Sequence, residues 1–253
     1  MDIEGKTALV SGGGSGIGRA TVVMLANAGA RVVAADIDEK GGAETIEMVN
    51  KAGGPSHGKA SFRRCDVTRP DDLAATIAFA FDQYGSLDIV YNNAGIGGEE
   101  LFTDEAGLWK RVVDINLTAV IDATRLAVRE MRRANKGGVI INTASMGGLL
   151  PMPGSPVYAA TKAGVINFSR SLAYLAIEDR IRVNAICPTF TDTPLVRRAG
   201  DERVEQMKQQ IGGILQPEDI AAGVVELIED DTRAGAIMRC TIRGRDYARE
   251  IRP

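Results

Sequence analysis

The chain has 253 residues, of which 45% are hydrophobic, and this length and apolar content can form one large α/β core. The net charge of −3 at pH 7 and the isoelectric point near 5.4 argue against general nucleic-acid binding, which depends on clustered Lys and Arg. The first residues lack a signal-peptide pattern and no apolar run reaches membrane-spanning length, so we expect a cytoplasmic protein.

The first predicted unit is a strand, a glycine-rich turn and a helix. Residues 7–10 form a short apolar run, and residues 19–28 have the apolar spacing of a helix. Between them, SGGGSGIG has a G-x-x-x-G-x-G pattern, which brings the amides of a helix start close to anionic oxygens. The residues of this turn that we predict to bind a dinucleotide are Gly12, Ser15, Gly16, Ile17 and Gly18.

A second predicted strand, Arg31–Asp36, ends in an acid where the adenosine ribose of a dinucleotide would be held. The Asp36 carboxylate would repel a 2′-phosphate, and the next residue, Ile37, is not basic, so the pattern favours NAD over NADP. Two other interpretations stay open: Asp36 caps the following helix, or it is the strand-ending acid of a methyltransferase. A P-loop is not indicated, because no Gly-Lys-Ser/Thr closes the turn.

The alternation of strands and helices continues and predicts a doubly wound, Rossmann-type parallel sheet of about seven strands with helices on both faces. The next predicted elements are a helix at 39–51, a strand at 62–67, a helix at 70–84 and a strand at 87–91. Two groups of residues lie at the carboxyl ends of these strands, the edge where such sheets bind ligands. They are Asp66 and Val67, and then Asn93, Ala94 and Gly95. Turn chemistry is the alternative explanation for both groups.

A long helical region is predicted at 104–135. Within it Asn116 is a polar residue on an apolar stretch, flanked by Ile115 and Leu117, and it would need hydrogen-bond partners if buried. The pattern alone leaves a structural and a functional hydrogen bond equally open.

Histidine and cysteine chemistry is poorly represented in the chain. The single histidine, His57, lies in a predicted solvated loop, and Cys65, Cys187 and Cys240 are widely spaced, as expected of reduced structural thiols. We therefore expect no metal site, disulfide framework or His-based triad. Acid–base chemistry would have to use Tyr, Lys, Asp or Glu.

The stretch from residue 139 to 162 is the centre of the chain. A buried strand at 139–141 is followed by polar residues that include Ser145, then by a Gly- and Pro-rich loop and a helix carrying Tyr158 and Lys162. These two residues share one helix face, and a nearby ammonium favours a phenolate. Spacing alone leaves a surface contact and a catalytic site equally open.

The remainder of the chain predicts a strand at 182–186, a polar segment at 189–215 that we interpret as a mobile substrate lid, a helix at 217–229 and a last strand at 236–241. The Arg-rich tail predicts a solvated or subunit-packing end. We find no linker or repeat, so we expect one domain, 1–253.

Taken together, these motifs closely resemble the short-chain dehydrogenase/reductase family, from about residue 6 to 241. SGGGSGIG stands where the family usually has TGxxxGxG, with Ser11 in place of Thr. CDV, NNAG, Asn116, Ser145 and YAATK follow in the family's order.

The resemblance implies a role for each matching residue. Tyr158 would be the general acid–base on the substrate oxygen, Ser145 would hold that oxygen, Lys162 would bind the nicotinamide ribose and lower the Tyr pKa, and Asn116 would complete a water-linked proton relay. The resemblance also implies cofactor contacts after the strand at 182–186. These residues are Pro188, Thr191 and Thr193.

Within the family, the later part of the chain is most similar to the 15-hydroxyprostaglandin dehydrogenase group. Ser155 stands where that group has a substrate-contacting Gln, and Thr189 replaces the usual Gly after Pro188, so prostaglandin is in doubt. An apolar hydroxy lipid, hydroxysteroid or similar secondary alcohol is expected instead. Ser145, Met146, Ser155 and Tyr158 are the candidate contacts, with Leu149, Leu150 and Met152 either beside the substrate or in the core.

The sequence therefore predicts an NAD-dependent oxidoreductase that interconverts a secondary alcohol and a ketone. The alternatives are a non-catalytic NAD-binding protein and a methyltransferase on a similar sheet. The family usually packs long helices into symmetric interfaces, so a homodimer or homotetramer is expected through helices at 104–135 and 156–176.

Overall fold

The computed structural model describes residues 1–53, 58–98, 101–104, 106–198 and 200–249. His57, predicted to be a loop residue, lies outside these ranges. The strands are β1 (Thr7–Ser11), β2 (Arg31–Asp36), β3 (Lys59–Arg64), β4 (Ile89–Asn92), β5 (Gly138–Thr143), β6 (Ile181–Pro188), β7 (Ile237–Thr241) and β8 (Gly244–Tyr247). The helices are α1 (Gly16–Asn27), α2 (Glu39–Ala52), α3 (Pro70–Tyr84), α4 (Leu108–Val113), α5 (Ala119–Ala134), α6 (Pro156–Ser171), α7 (Leu175–Glu178), α8 (Pro194–Arg197), α9 (Asp201–Ile211) and α10 (Pro217–Glu229).

The described strands form one sheet in the order β3-β2-β1-β4-β5-β6-β7-β8. β1 to β7 pair in parallel, and β8 is antiparallel to β7. The order reverses direction between β1 and β4, which is where a doubly wound sheet opens a crevice at its carboxyl edge. The predicted fold class is confirmed.

Each face of the sheet is covered by helices, as buried parallel strands require. Val22 and Leu25 of α1 pack with Ile220 and Val224 of α10 on one face. On the other face α3 and α5 form a second apolar cluster, and a third cluster joins α5 and α6 to β6 and β7. The central strands β4, β5 and β6 are buried throughout, so residues at their ends are held rigidly.

Most predicted elements differ from the structure by a few residues at their ends, and the differences in two helices and one strand have an identifiable cause or a larger size. The region at 104–135 is interrupted, because α4 begins at Leu108 and a π-helical turn, Asp114–Thr118, separates it from α5. The helix predicted to reach residue 176 ends at Ser171. β3 ends at Arg64, earlier than predicted, because the Asp66 carboxylate accepts from the Thr68 amide and hydroxyl and turns the chain.

The tail, expected to be solvated or to pack against another subunit, supplies an eighth strand whose residues are mostly exposed. β8 pairs with the edge of β7, and Asp246 accepts two 2.6 Å hydrogen bonds from the Arg239 guanidinium on that strand. Tyr247 stacks under Arg233, with 4.1 Å between the guanidinium carbon and the ring centroid. Because these contacts are polar and cross-strand, no apolar alternation in the sequence indicates the strand.

The predicted lid segment contains two helices, α8 and α9. Its two ends are tied together at the sheet, since the Asp192 amide donates to Leu215 O at 2.8 Å and the Leu215 amide donates to Phe190 O at 3.0 Å. The segment therefore leaves the edge of the sheet and returns to the same place.

The close approach of α1 to the turn that precedes it gives a first prediction. A Cβ atom on Gly18 would overlap with the carbonyl oxygen of Gly12, whereas a Cβ on Gly154 would meet nothing within 4 Å. We expect Gly18→Ala to lower the free energy of unfolding by roughly 1–3 kcal/mol or more, measured by urea denaturation. The control, Gly154→Ala, should change it by less than about 0.5 kcal/mol. Equal unfolding midpoints for the two variants would contradict this account of the turn.

Candidate active site

The carboxyl ends of the parallel strands border one cleft of about 1390 Å³. Almost all of the predicted site residues line it. They are Gly12, Ser15, Gly16, Ile17, Asp36, Ile37, Asp66, Val67, Asn93, Ala94, Gly95, Ser145, Met146, Ser155, Tyr158, Lys162, Pro188, Thr191 and Thr193. The two exceptions, Gly18 and Asn116, lie behind the cleft and hold its walls.

The glycine turn has the geometry of an anion cradle. Gly12 and Gly16 have φ values of +68° and +50°, which favour glycine over residues with side chains. Ser15, the N-cap of α1, makes no side-chain capping bond, so the first amides of the helix face the cleft without an internal acceptor. A pyrophosphate fits this helix start by charge and by hydrogen bonding.

Asp36 links the end of β2 to the glycine turn. Its Oδ2 accepts from the Gly14 amide at 2.9 Å and its Oδ1 from the Asp38 amide at 3.0 Å. The nearby Arg19 guanidinium is already engaged with the Gly14 carbonyl and the Glu44 carboxylate. The cleft therefore has the Asp36 carboxylate at this point, and the nearby Arg19 guanidinium binds other groups.

The hydroxyl of Ser11, which stands where the resembled family has Thr, holds the adjoining loop. It accepts from the amides of Asn93 and Ala94 at 3.0 and 3.2 Å. The Asn93 side chain donates to the Ser11 carbonyl at 3.1 Å. These contacts join the ends of β1 and β4 at the edge of the cleft.

Ser145 and Tyr158 meet on the other half of the cleft. The Ser145 hydroxyl oxygen accepts from the Gly147 amide at 3.0 Å in a short 3₁₀ turn, and the hydroxyl lies near enough to the Tyr158 phenol to influence its pKa. Burial raises the pKa of the Tyr158 phenol, and the Ser145 hydroxyl opposes that rise. An oxygen of a bound molecule placed between the two hydroxyls could exchange a proton with Tyr158.

Lys162 is 3% exposed, and its ammonium donates to the Thr143 carbonyl at 2.7 Å. The nitrogen lies 5.7 Å from the centroid of the Tyr158 ring. Burial lowers the pKa of Lys162 to about 8. The spacing of Tyr158 and Lys162 left a surface contact and a catalytic site equally open. Because Lys162 is buried, the interpretation as a surface contact is wrong.

Asn116 is fully buried in the π-helical turn. Its side chain forms two 2.9 Å hydrogen bonds with the backbone of Ile96, accepting from the amide and donating to the carbonyl. A Cβ on Gly95 would lie 3.3 Å from Asn116 Oδ1 and 3.7 Å from Lys162 Nζ. The side chain of Asn116 thus has the structural role that sequence reasoning had left open, and it fixes the loop beside Lys162.

The apolar residues expected near the substrate divide between cleft and core. Leu150 and Met152 line the cleft. Leu149 packs against the cluster below α6, and Met146 does both. Ser155 lines the cleft, and its hydroxyl donates to the Gly154 carbonyl at 2.8 Å.

Sequence reasoning missed several residues that shape the site. Thr143 is the last residue of β5, and nothing in the sequence pattern shows that its carbonyl holds Lys162. Gly98 lies against Tyr158, since a Cβ there would be 2.9 Å from Tyr158 Cβ, and the loop glycines of GIGG were a usable signal. The Thr189 hydroxyl oxygen is buried, and among the described residues it has no hydrogen-bond partner.

Comparison with known proteins identifies the family. A family model described as short chain dehydrogenase matches residues 6–204. The chain belongs to the short chain dehydrogenase family. It is 37% identical to 15-hydroxyprostaglandin dehydrogenase [NAD(+)] of Bos taurus over 95% of this chain and 92% of that protein. It is 36% identical to cyclohexanol dehydrogenase of Acinetobacter sp. (strain SE19) over 89% of this chain and 88% of that protein.

A solved structure agrees with this assignment. Levodione reductase superposes with a TM-score of 0.87 and 27% identity, covering 94% of this chain and 96% of that one. The chain is accordingly an oxidoreductase of this family, and its resemblance to the 15-hydroxyprostaglandin dehydrogenase group is confirmed. Among the described residues, no helix has the length and apolar character to cross a membrane, and no group of three His, Cys, Asp or Glu side chains is placed to hold a metal ion.

Proposed function

We propose that this enzyme interconverts a secondary alcohol and a ketone with NAD, and that Tyr158 is the general acid–base. The observation that carries this proposal is the cluster of Ser145, Tyr158 and the buried Lys162 on one wall of the cleft, opposite the glycine turn. NAD would supply hydride transfer when bound. The side chains of the cleft bind and orient the alcohol and move its proton.

Tyr158 removes the hydroxyl proton of the alcohol, and Ser145 holds the same oxygen. A phenol has an ordinary pKa near 10, and burial raises the pKa of Tyr158 further. Positive charge is therefore needed to make a phenolate near neutral pH, and the Lys162 ammonium and oxidised nicotinamide both provide it.

Asn116 supports a proton relay through its position. Its carboxamide oxygen and one of its amide hydrogens are used by Ile96, so its main-chain carbonyl at the widened π turn is the group we assign to a relay water. The remaining candidate residues would bind the cofactor: the glycine turn would hold the pyrophosphate, and Asp36 and Ile37 would lie beside the adenosine ribose. Asp66, Val67, Asn93, Ala94, Gly95, Pro188, Thr191 and Thr193 complete that surface.

The substrate half of the cleft supports an apolar alcohol. Met146, Leu150, Met152 and Leu195 line it, and Ser155 offers a small polar group. The segment carrying α8 and α9 would close over the substrate as a lid, since its ends are fixed at the sheet and Leu195 of α8 and Ile211 of α9 line the cleft.

The two alternatives are less well supported. A methyltransferase would leave the Ser145, Tyr158 and Lys162 cluster without a role, and the family match does not favour it. A non-catalytic NAD-binding protein would retain the glycine turn, but it would not require the aligned Tyr158 and Ser145 hydroxyls. Turnover of a secondary alcohol separates this last alternative from the proposal.

Asp36 gives a test of cofactor preference. Its carboxylate would accept from a ribose 2′-hydroxyl and repel a 2′-phosphate, so NADH should bind more tightly than NADPH in fluorescence titrations. Asp36→Ala should shift the ratio of the two dissociation constants toward NADPH by about 10-fold or more. Asp38→Asn, which removes the neighbouring carboxylate, should leave the ratio nearly unchanged. Equal affinities in the wild type would show that Asp36 does not have this role.

Tyr158→Phe tests the acid–base assignment. The change retains the ring, so NAD affinity should change little while alcohol oxidation falls by at least ~10²-fold, the usual size for a positioned proton-transfer group. Lys162→Met should weaken NAD binding as well, because its ammonium would hold the ribose and stabilise phenolate. Wild-type oxidation should rise with pH as the coupled Tyr158 and Lys162 pair loses a proton. Near-normal turnover by Tyr158→Phe would rule out the mechanism.

We also propose a homo-oligomer. The outer surfaces of α4, α5 and α7 expose large apolar side chains, including Trp109, Ile121 and Ile177, the last of which is 90% exposed. Light scattering should give a multiple of the 26.9 kDa chain mass. Ile121→Arg should reduce that mass, whereas Met48→Arg, a control at an exposed Met on α2, should not. A wild-type monomer at micromolar concentration would contradict the proposal.

A further inference from the structure

Tyr91 is a fully buried phenol that the reaction proposed above does not use. It lies in β4 between apolar and polar neighbours, with no exposed surface. Burial raises the pKa of this phenol far above its ordinary value, so it stays neutral. A buried hydroxyl requires a hydrogen-bond partner, and a Phe at this position would fill the same space without that requirement.

The partner of Tyr91 is Thr143, the last residue of β5. The Thr143 hydroxyl donates to the Tyr91 oxygen at 2.8 Å. In the strand register Tyr91 lies opposite Ile141, so Thr143 is its diagonal neighbour on the same face of the sheet, within reach of an aromatic side chain.

Thr143 also carries the contact that holds Lys162. Its carbonyl accepts from the Lys162 ammonium at 2.7 Å, while the next amide, that of Ala144, donates to Ile186 O at 2.8 Å on the other side. The peptide group between Thr143 and Ala144 is thus held by β6 on one side. On the other side, Tyr91 of β4 holds the Thr143 side chain. Beyond this residue β5 has no further ladder to hold it.

We propose that Tyr91 is a positioning residue for Lys162 and acts through Thr143. Loss of the Tyr91 hydroxyl would free the Thr143 side chain to change rotamer and would loosen the carbonyl to which the ammonium is bound. The kinetic consequences rest on the proposed function of Lys162. The structural consequence, a change in the environment of the Lys162 ammonium, does not.

The kinetic test compares Tyr91→Phe with Tyr247→Phe. Tyr247→Phe also removes a hydroxyl contact, the 3.1 Å hydrogen bond to the Glu226 carboxylate. Tyr247 lies in β8, away from the cleft. Tyr91→Phe should lower kcat for alcohol oxidation and the affinity for NAD, each by about 3- to 10-fold, with the KM for the alcohol unchanged. Tyr247→Phe should change none of the three. Thr143→Val should reproduce the pattern of Tyr91→Phe.

The Lys162→Met background distinguishes positioning from a general structural effect. If Tyr91 acts through Lys162, adding Tyr91→Phe to Lys162→Met should cause no further loss of turnover or NAD affinity. A loss by the same factor in both backgrounds would overturn the proposal, as would unchanged kcat and NAD affinity in Tyr91→Phe alone.

A third measurement needs neither substrate nor cofactor. The Lys162 resonance in protein labelled with ¹³C-lysine, assigned by its absence from Lys162→Met, can be titrated. Because a carbonyl acceptor favours the ammonium, Tyr91→Phe should lower the Lys162 pKa below the wild-type value, with Tyr158 on α6 and Cys187 on β6 as the neighbouring titratable groups. An unchanged titration of Lys162 would overturn the proposal. If the wild-type enzyme oxidised no alcohol, the proposed function would be refuted, and the Lys162 titration would still decide the role of Tyr91.

Discussion

The buried ammonium of Lys162 is the constraint on which the arrangement of this cleft depends. An isolated charge is costly to remove from water, and within the described chain Lys162 forms no ion pair; its polar contact is the Thr143 carbonyl at 2.7 Å. The 3₁₀ turn also approaches the main chain of α6 closely at a glycine, since a Cβ on Gly148 would lie 2.6 Å from the carbonyl carbon of Lys162. The end of β5, the 3₁₀ turn and α6 must therefore keep one relative placement.

Holding this charge lowers stability at neutral pH. Burial moves the pKa of Lys162 from 10.5 to about 8, so between these values the folded chain binds fewer protons here than the unfolded chain. The contribution of Lys162 to stability consequently rises with pH through that window and is least favourable below pH 8. Burial also raises the pKa of Tyr158, so both groups are shifted toward their neutral forms. Such opposed shifts in adjacent acid and base groups are typical of sites that exchange protons, and they support a function for the pair beyond packing.

The sequence predicted the order of strands and helices well, because apolar periodicity and glycine turns are local signals. It also predicted that most candidate site residues would meet at the ends of the strands, since parallel strands share one carboxyl edge. The prediction and the structure differ where polar contacts between distant parts of the chain determine the local structure. β8 depends on Arg239 and Arg233 meeting Asp246 and Tyr247, and the turn that ends β3 depends on Asp66. The spacing of Tyr158 and Lys162 was not sufficient by itself, because four-residue spacing is equally common on exposed helices.

Residues that support the cleft from behind are harder to predict than residues that line it. The hydroxyl of Ser11 positions two loop amides, and the carboxamide of Asn116 fixes both polar groups of Ile96. In each case a short polar side chain replaces a partner that an irregular backbone segment lacks. Tyr91 belongs to the same set, because its hydroxyl anchors the residue at which β5 leaves the sheet. The side chains that we propose to act in catalysis can be positioned precisely only because these buried groups fix the main chain that carries them.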